Sequence, residues 1–206
     1  MTTTTVPAKL GFREALREQR WDDHRFYHHS RINQSLHLFS ACCFLTSYAL
    51  LAFDTATAVW IGWMAAWFSR QIGHFFFEPK DYDARNAMSY QEKEDVKVGY
   101  NLKRKLMLLA VFLAAPALLY LVPDLFGLIR PYTEKGSYLG DLTGLWLAVG
   151  AGALLFRTVQ LFFIRDVQTG LVWCTKILTD PFNDVRTYWK APYYLLRGEL
   201  IDPELG

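Results

Sequence analysis

Four long apolar stretches, residues 36–53, 56–77, 106–129 and 142–164, limit what this chain of 206 residues can fold into more than any other feature. Each is long enough to cross a hydrocarbon core of about 30 Å as a helix. A bilayer interior leaves no backbone group unpaired, so helices satisfy it where loops do not. The pattern predicts an all-α integral membrane protein, residues 1–206 forming a single membrane domain with four spans. Hydrophobic residues make up 52% of the chain. Its mean hydropathy still falls near zero, because charged segments between and outside the spans dilute the average.

The flanks set the expected orientation. Lys9, Arg13, Arg17, Arg20, Arg25 and Arg31 precede the first span, and Lys80, Arg85, Lys93, Lys97, Lys103, Arg104 and Lys105 lie between the second and third. Arg165, Lys176, Arg186, Lys190 and Arg197 follow the fourth, whereas the first connection has no base and the third has only Arg130 and Lys135. Basic residues stay in the cytoplasm, which places both termini and the central loop there. The opening residues lack the apolar core of a cleavable signal, and residues 1–8 read as loose. The stretch GFREALREQRWDDHRF reads as an amphipathic helix along the cytoplasmic surface, with Phe12, Leu16 and Trp21 as its apolar stripe. Residues 165–206 mix Trp and Tyr with Lys and Arg, as an interfacial tail does, and these aromatics would suit a lid. Cys42, Cys43 and Cys174 read as packing residues, since neither their number nor their spacing suggests a disulfide framework.

All five histidines gather on the cytoplasmic side. His37 opens the first span and His74 stands about one turn before the end of the second. Only about three residues around Asp54 join these spans, so a tight hairpin brings the two imidazoles to one depth. His28 and His29 precede the first span at the same face, with His24 four residues before His28. Glu78 follows His74 at the same interval. Imidazoles with one carboxylate make a ligand set for non-haem iron, with zinc or manganese as alternatives. The candidate ligands are therefore His28, His29, His37, His74 and Glu78. Asn33, one turn before His37, is placed to hold its second nitrogen, and His24 stands behind His28. Arg70 and Gln71, at the cytoplasmic end of the second span, and Arg157, inside the fourth, are candidates for binding a substrate head group.

These residues resemble a known family. Phe26, Tyr27, His28, His29, Asn33 and His37, followed by Ile72, Gly73, His74, Phe77 and Glu78, are similar to the pattern of the membrane-embedded, iron(II)-dependent 2-hydroxy fatty acid dioxygenases of fatty acid α-oxidation. The resemblance covers roughly residues 20–90 and implies metal-binding histidines at His28, His37 and His74, with His29 next in line. Cys42 stands where the family usually has proline, and EPKDYDARN where it has a Pro-Ala pair. The resemblance implies an enzyme that binds a 2-hydroxy carboxylate at iron(II) and uses dioxygen to cleave between C1 and C2. A membrane lipid or fatty acid is the expected partner, and no nucleic acid is.

Two other classes compete at this stage. One is a haem-binding electron carrier with His37 and His74 as axial ligands. The other is a non-catalytic membrane scaffold with interfacial histidines. Histidine-box desaturases and hydroxylases, a related enzyme class, typically need more histidines than this chain has.

Overall fold

The computed structural model describes residues 10–135 and 137–204 and is all-helical among them. The opening threonine run, read above as loose, lies outside the described residues. Helix α1 (Phe12–Tyr27) leads through His28, His29 and Ser30 into α2 (Arg31–Leu50). Ser30 starts α2 by accepting from the amides of Ile32 and Asn33, which satisfies donors that the first turn leaves free. Asp54 caps the return helix in the same way, accepting from Thr57 N. That return is one rod in three parts: α3 (Thr55–Trp60), a π-helical segment (Ile61–Trp67) and α4 (Phe68–Phe76). The wider π turns rotate α4 relative to α3. Trp63 thereby packs on Phe112 at 4.6 Å between ring centroids, while His74 faces α2 at 4.9 Å from His37. The hairpin expected between residues 36–53 and 56–77 is present.

A capped short helix, α5 (Tyr90–Val96), lies in the central loop. Beyond it come α6 (Leu102–Leu121), α7 (Tyr132–Lys135) and α8 (Tyr138–Ile164). Among the described residues two helices, α6 and α8, are long and apolar enough to cross a membrane. Their apolar side chains point largely outward: Met107, Leu113, Leu121, Leu155, Phe156 and Phe163 are all exposed. Water penalises such a surface, whereas lipid does not. Inward, Phe112, Leu119, Trp146 and Leu142 are buried against Trp63 and Val59. Trp63 Nε1 donates to Trp146 O at 3.0 Å, and Trp146 Nε1 donates to Phe112 O at 3.2 Å. The indoles thus pack without leaving a polar atom stranded.

Residues 165–204 do not lie apart as a tail. Helix α9 (Val167–Tyr188) packs against α1, α2 and α8 and buries Val172, Trp173, Lys176, Asp180, Asp184 and Tyr188. Gly170 allows the turn from α8 to α9 to close, since a Cβ there would sit 2.7 Å from Thr158 O and 2.6 Å from the Phe162 ring. After α10 (Ala191–Leu196) the chain returns to the start of α2. There Arg31 N donates to Leu200 O at 2.9 Å and Asp202 N donates to His29 O at 2.8 Å. The Asp202 carboxylate also takes Arg31 at 2.7 Å and Gln34 at 2.8 Å. The reason is electrostatic: buried charges on α9 and at the C-terminus need partners, and α1, α2 and α4 supply them.

Candidate metal centre

Three histidines meet at the junction of α1, α2 and α4. One ring nitrogen from each of His28, His37 and His74 lies within 4.8 Å of the others, and all three residues are buried or nearly so. His28 Nε2 and His37 Nε2 are 3.2 Å apart. Two nitrogens each ~2.1 Å from a shared ion stand at about this separation.

The outward nitrogens are each faced by another group. Tyr188 Oη is 3.0 Å from His28 Nδ1. Glu78 Oε2 is 2.8 Å from His74 Nδ1. Asp184 Oδ2 stands 3.7 Å from His37 Nδ1. A ligating imidazole characteristically turns its other nitrogen to a carboxylate or similar partner, which fixes tautomer and ring plane. Burial, reinforced by the neighbouring His37, holds His28 well below the ordinary imidazole pKa, so it is neutral as a ligand must be. Burial, with Asp184 adding to it, holds the Tyr188 hydroxyl well above its usual range and therefore protonated.

The sequence-predicted residues divide into two groups. His28, His37 and His74 converge. Glu78 faces the back of His74, a position that orients the ring, and it does so although α4 ends at Phe76. His24 reaches the site indirectly, its Nδ1 lying 3.1 Å from Tyr188 Oη. His29 turns away: its Nε2 meets Arg25 O at 2.6 Å, with Asp83 3.9 Å away. Asn33 Nδ2 donates to Tyr27 O at 2.9 Å and does not hold the second nitrogen of His37, which faces Asp184 instead. The Asn33 amide packs directly on Gly73, where an added Cβ would sit 2.2 Å from its Oδ1. Arg70 pairs with Asp184. Arg157 is distant in role: it donates to Val98 O at 2.6 Å and to Gln160 Oε1 at 2.6 Å, tying α8 to the loop before α6.

Asp184 and Tyr188 were not among the residues predicted to form the site. With Lys176 and Asp180 they recur every fourth residue along α9, which places one polar stripe on one helix face. Lys176 bridges Asp23 and Asp180. Burial alone would depress its pKa, but Asp180 and Asp23 outweigh it and raise it.

The histidines stand on the wall of a cavity of about 980 Å³. Arg70, Gln71, Lys97 and Lys105 line the same cavity, and Gln71 Oε1 is buried without a hydrogen-bond partner among the described residues. Away from the histidines the lining is apolar, with Val59, Trp63, Leu108, Trp146 and Leu147, and it reaches Leu51 beyond the far end of α2. His37 and Leu51 are separated by about 20 Å of helix. The histidine rings themselves are in contact, with His37 and His74 at 4.9 Å between centroids. This leaves no room for a macrocycle between them and suits a small ion. No family model, curated protein or solved structure matches this chain.

Proposed function

We propose that the chain is a membrane-embedded, iron(II)-dependent oxygenase acting on a lipid acyl chain, with a 2-hydroxy fatty acid cleaved between C1 and C2. One observation carries the reading: three converging imidazoles, two of them hydrogen-bonded from behind by Tyr188 and Glu78, open onto a long cavity that is polar at their end and apolar beyond. His28, His37 and His74 would hold iron(II) through three nitrogen donors, a ligand type that suits it. Iron supplies, when bound, the redox chemistry that dioxygen activation needs and that zinc lacks.

The remaining work falls to the chain's own residues. Tyr188 and Glu78 hold the His28 and His74 rings in their planes, Asp184 faces His37 at 3.7 Å, and Arg70 holds Asp184. Gln71 Oε1 offers an acceptor to a substrate hydroxyl. The tryptophan-lined part of the cavity aligns the chain and excludes water, so that C1 and C2 lie beside the histidines. The similarity of residues 26–37 and 72–78 to the fatty acid α-oxidation dioxygenases supports the same assignment.

The membrane arrangement we infer has four spans, the hairpin of α2 with the α3–α4 rod joining α6 and α8. Exposed Phe39, Phe53, Met64 and Phe76 on this hairpin support it. The basic flanks support termini and histidines on the cytoplasmic side. In such a bilayer a fatty acid of the inner leaflet presents its carboxyl end at the depth of the site.

The test is turnover. Purified protein loaded anaerobically with iron(II) and mixed with a 2-hydroxy fatty acid and oxygen is expected to give the product one carbon shorter, with matching oxygen uptake. Iron-loaded protein that consumes no oxygen with 2-hydroxy acids across a range of chain lengths would overturn the assignment.

A further inference from the structure

One half-buried cation on the cavity wall has, among the described residues, no partner from the protein itself. Among the cations that line the cavity without being exposed, Arg20 pairs with Asp180, Arg70 with Asp184, Lys97 with Glu78 and Glu94, and Lys176 with Asp23 and Asp180. The Lys105 ammonium, half-buried in the first turn of α6, has no ion pair or hydrogen bond among the described residues. Its nearest candidates are committed elsewhere. Glu78 holds His74 and Lys97, Glu94 holds Lys97 and the amide of Leu102, and Asp23 holds Lys176.

Lys105 lines the same cavity as His37 and His74. An ammonium that lines the cavity without a protein partner offers an anion a charge-assisted hydrogen bond. Lys105 is the one half-buried cation of this wall without a partner among the described residues, and a single such cation matches a single negative charge, as on a carboxylate.

We infer that Lys105 anchors the carboxylate head of the amphiphile that fills this cavity. The inference rests on reading the cavity as an acyl-chain site, and it adds a residue that holds the head without help from a metal. With the carboxylate at Lys105, the first carbons lie next to the histidines and the chain runs toward Trp63 and Trp146.

Tryptophan quenching tests this, because Trp63, Trp67, Trp146 and Trp173 all line the cavity. Full-length protein in detergent is titrated with dibromostearic acid, with the matching alcohol and with the matching alkyl phosphate. Each titration is run on the wild type, Lys105→Gln and Lys105→Arg, with metal content read on the same samples. Lys105→Gln is expected to weaken binding of the acid about tenfold or more while leaving the alcohol unchanged, and Lys105→Arg to restore most of the loss. Its melting temperature is expected to hold or rise, which a merely structural lysine would not give. Equal binding of the acid by wild type and Lys105→Gln would overturn the inference, as would an alcohol that binds wild type as tightly as the acid. A phosphate that binds more tightly than the acid in a Lys105-dependent way would overturn the carboxylate assignment. Lys105-dependent binding in protein that takes up no metal would uphold the anchor while removing the oxygenase reading. Lys105-independent binding in an iron protein would do the reverse.

Discussion

His28 and His37 face each other across 3.2 Å through their Nε2 atoms, while their outer nitrogens face Tyr188 and Asp184 of a helix about 150 residues further along the chain. The inner pair defines where an ion would sit. The outer partners define how firmly the rings are held. Both halves of this arrangement can be tested separately.

Replacing Tyr188 by Phe removes the hydroxyl that faces both His28 and His24 but keeps the ring that fills the space. Metal affinity is expected to fall about tenfold to hundredfold, with the melting temperature nearly unchanged. Competition against a calibrated chelator reads the first quantity and thermal unfolding the second. Unchanged affinity would mean that the hydroxyl does not orient His28.

Lys176→Met takes from Asp23 its ion-pair partner and leaves the buried Asp180 with Arg20 alone, 3.3 Å away, and is expected to cost about 2 kcal/mol at neutral pH. The difference from wild type should depend on pH in a defined way. The pKa of Lys176 is raised above its usual 10.5, so its contribution is complete below that value and disappears as pH climbs through the folded pKa. Burial pushes the Asp23 carboxyl up, but Lys176 outweighs it and brings the pKa below 3.8, so that contribution holds above 3.8 and is lost as pH falls through the folded value. Melting curves of the two proteins should therefore diverge most in the middle of the range and approach each other at both ends. A constant gap across pH would contradict the pairing.

Gly73→Ala places a methyl group against the Asn33 amide, which is itself fixed by the Tyr27 carbonyl. The expected cost is about 1–3 kcal/mol from overpacking, with weaker metal binding because α4 carries His74 one residue on. Urea unfolding and metal competition measure the two effects. A variant as stable and as metal-avid as wild type would show that α2 and α4 can separate freely.

The inferred four-span arrangement puts the turn at Phe53 and the loop at Tyr82 on opposite sides of the bilayer. In a background lacking Cys42, Cys43 and Cys174, an impermeant maleimide added to intact cells is expected to label Phe53→Cys and to spare Tyr82→Cys until the cells are opened. Labelling of both positions, or of neither, in intact cells would contradict the arrangement.

Much of the local structure was legible in the sequence because it depends on spacing along one helix or across one short turn. The hairpin followed from apolar runs separated by only Asp54 and Thr55, and the His74–Glu78 pair from their four-residue interval. His37 and His74 met because a tight turn fixes the depth of both ends. What was not legible depends on contacts between distant segments. The charged face of α9 looked interfacial, since no local rule says that Lys176 and Asp180 will find Asp23 and Arg20 on α1. Asn33 has the right interval for His37, yet its amide is captured by Tyr27 O before it reaches the ring. Arg157 looked available for a substrate because it lies within an apolar run, whereas the backbone carbonyls of Val98 and Gly99 satisfy it. The four-residue recurrence of Lys176, Asp180, Asp184 and Tyr188 was the one visible sign that α9 turns a polar face inward.

The central claim is that His28, His37 and His74 form one metal centre. Mass spectrometric metal analysis of detergent-purified protein after anaerobic iron loading, for wild type and for His28→Ala, His37→Ala and His74→Ala, tests it most directly. An absorption spectrum and a melting curve of each sample accompany it. The expected result is near-stoichiometric iron in wild type without a Soret band, lost in all three variants while they remain folded. Wild type that retains no metal, or folded variants that retain as much iron as wild type, would contradict it.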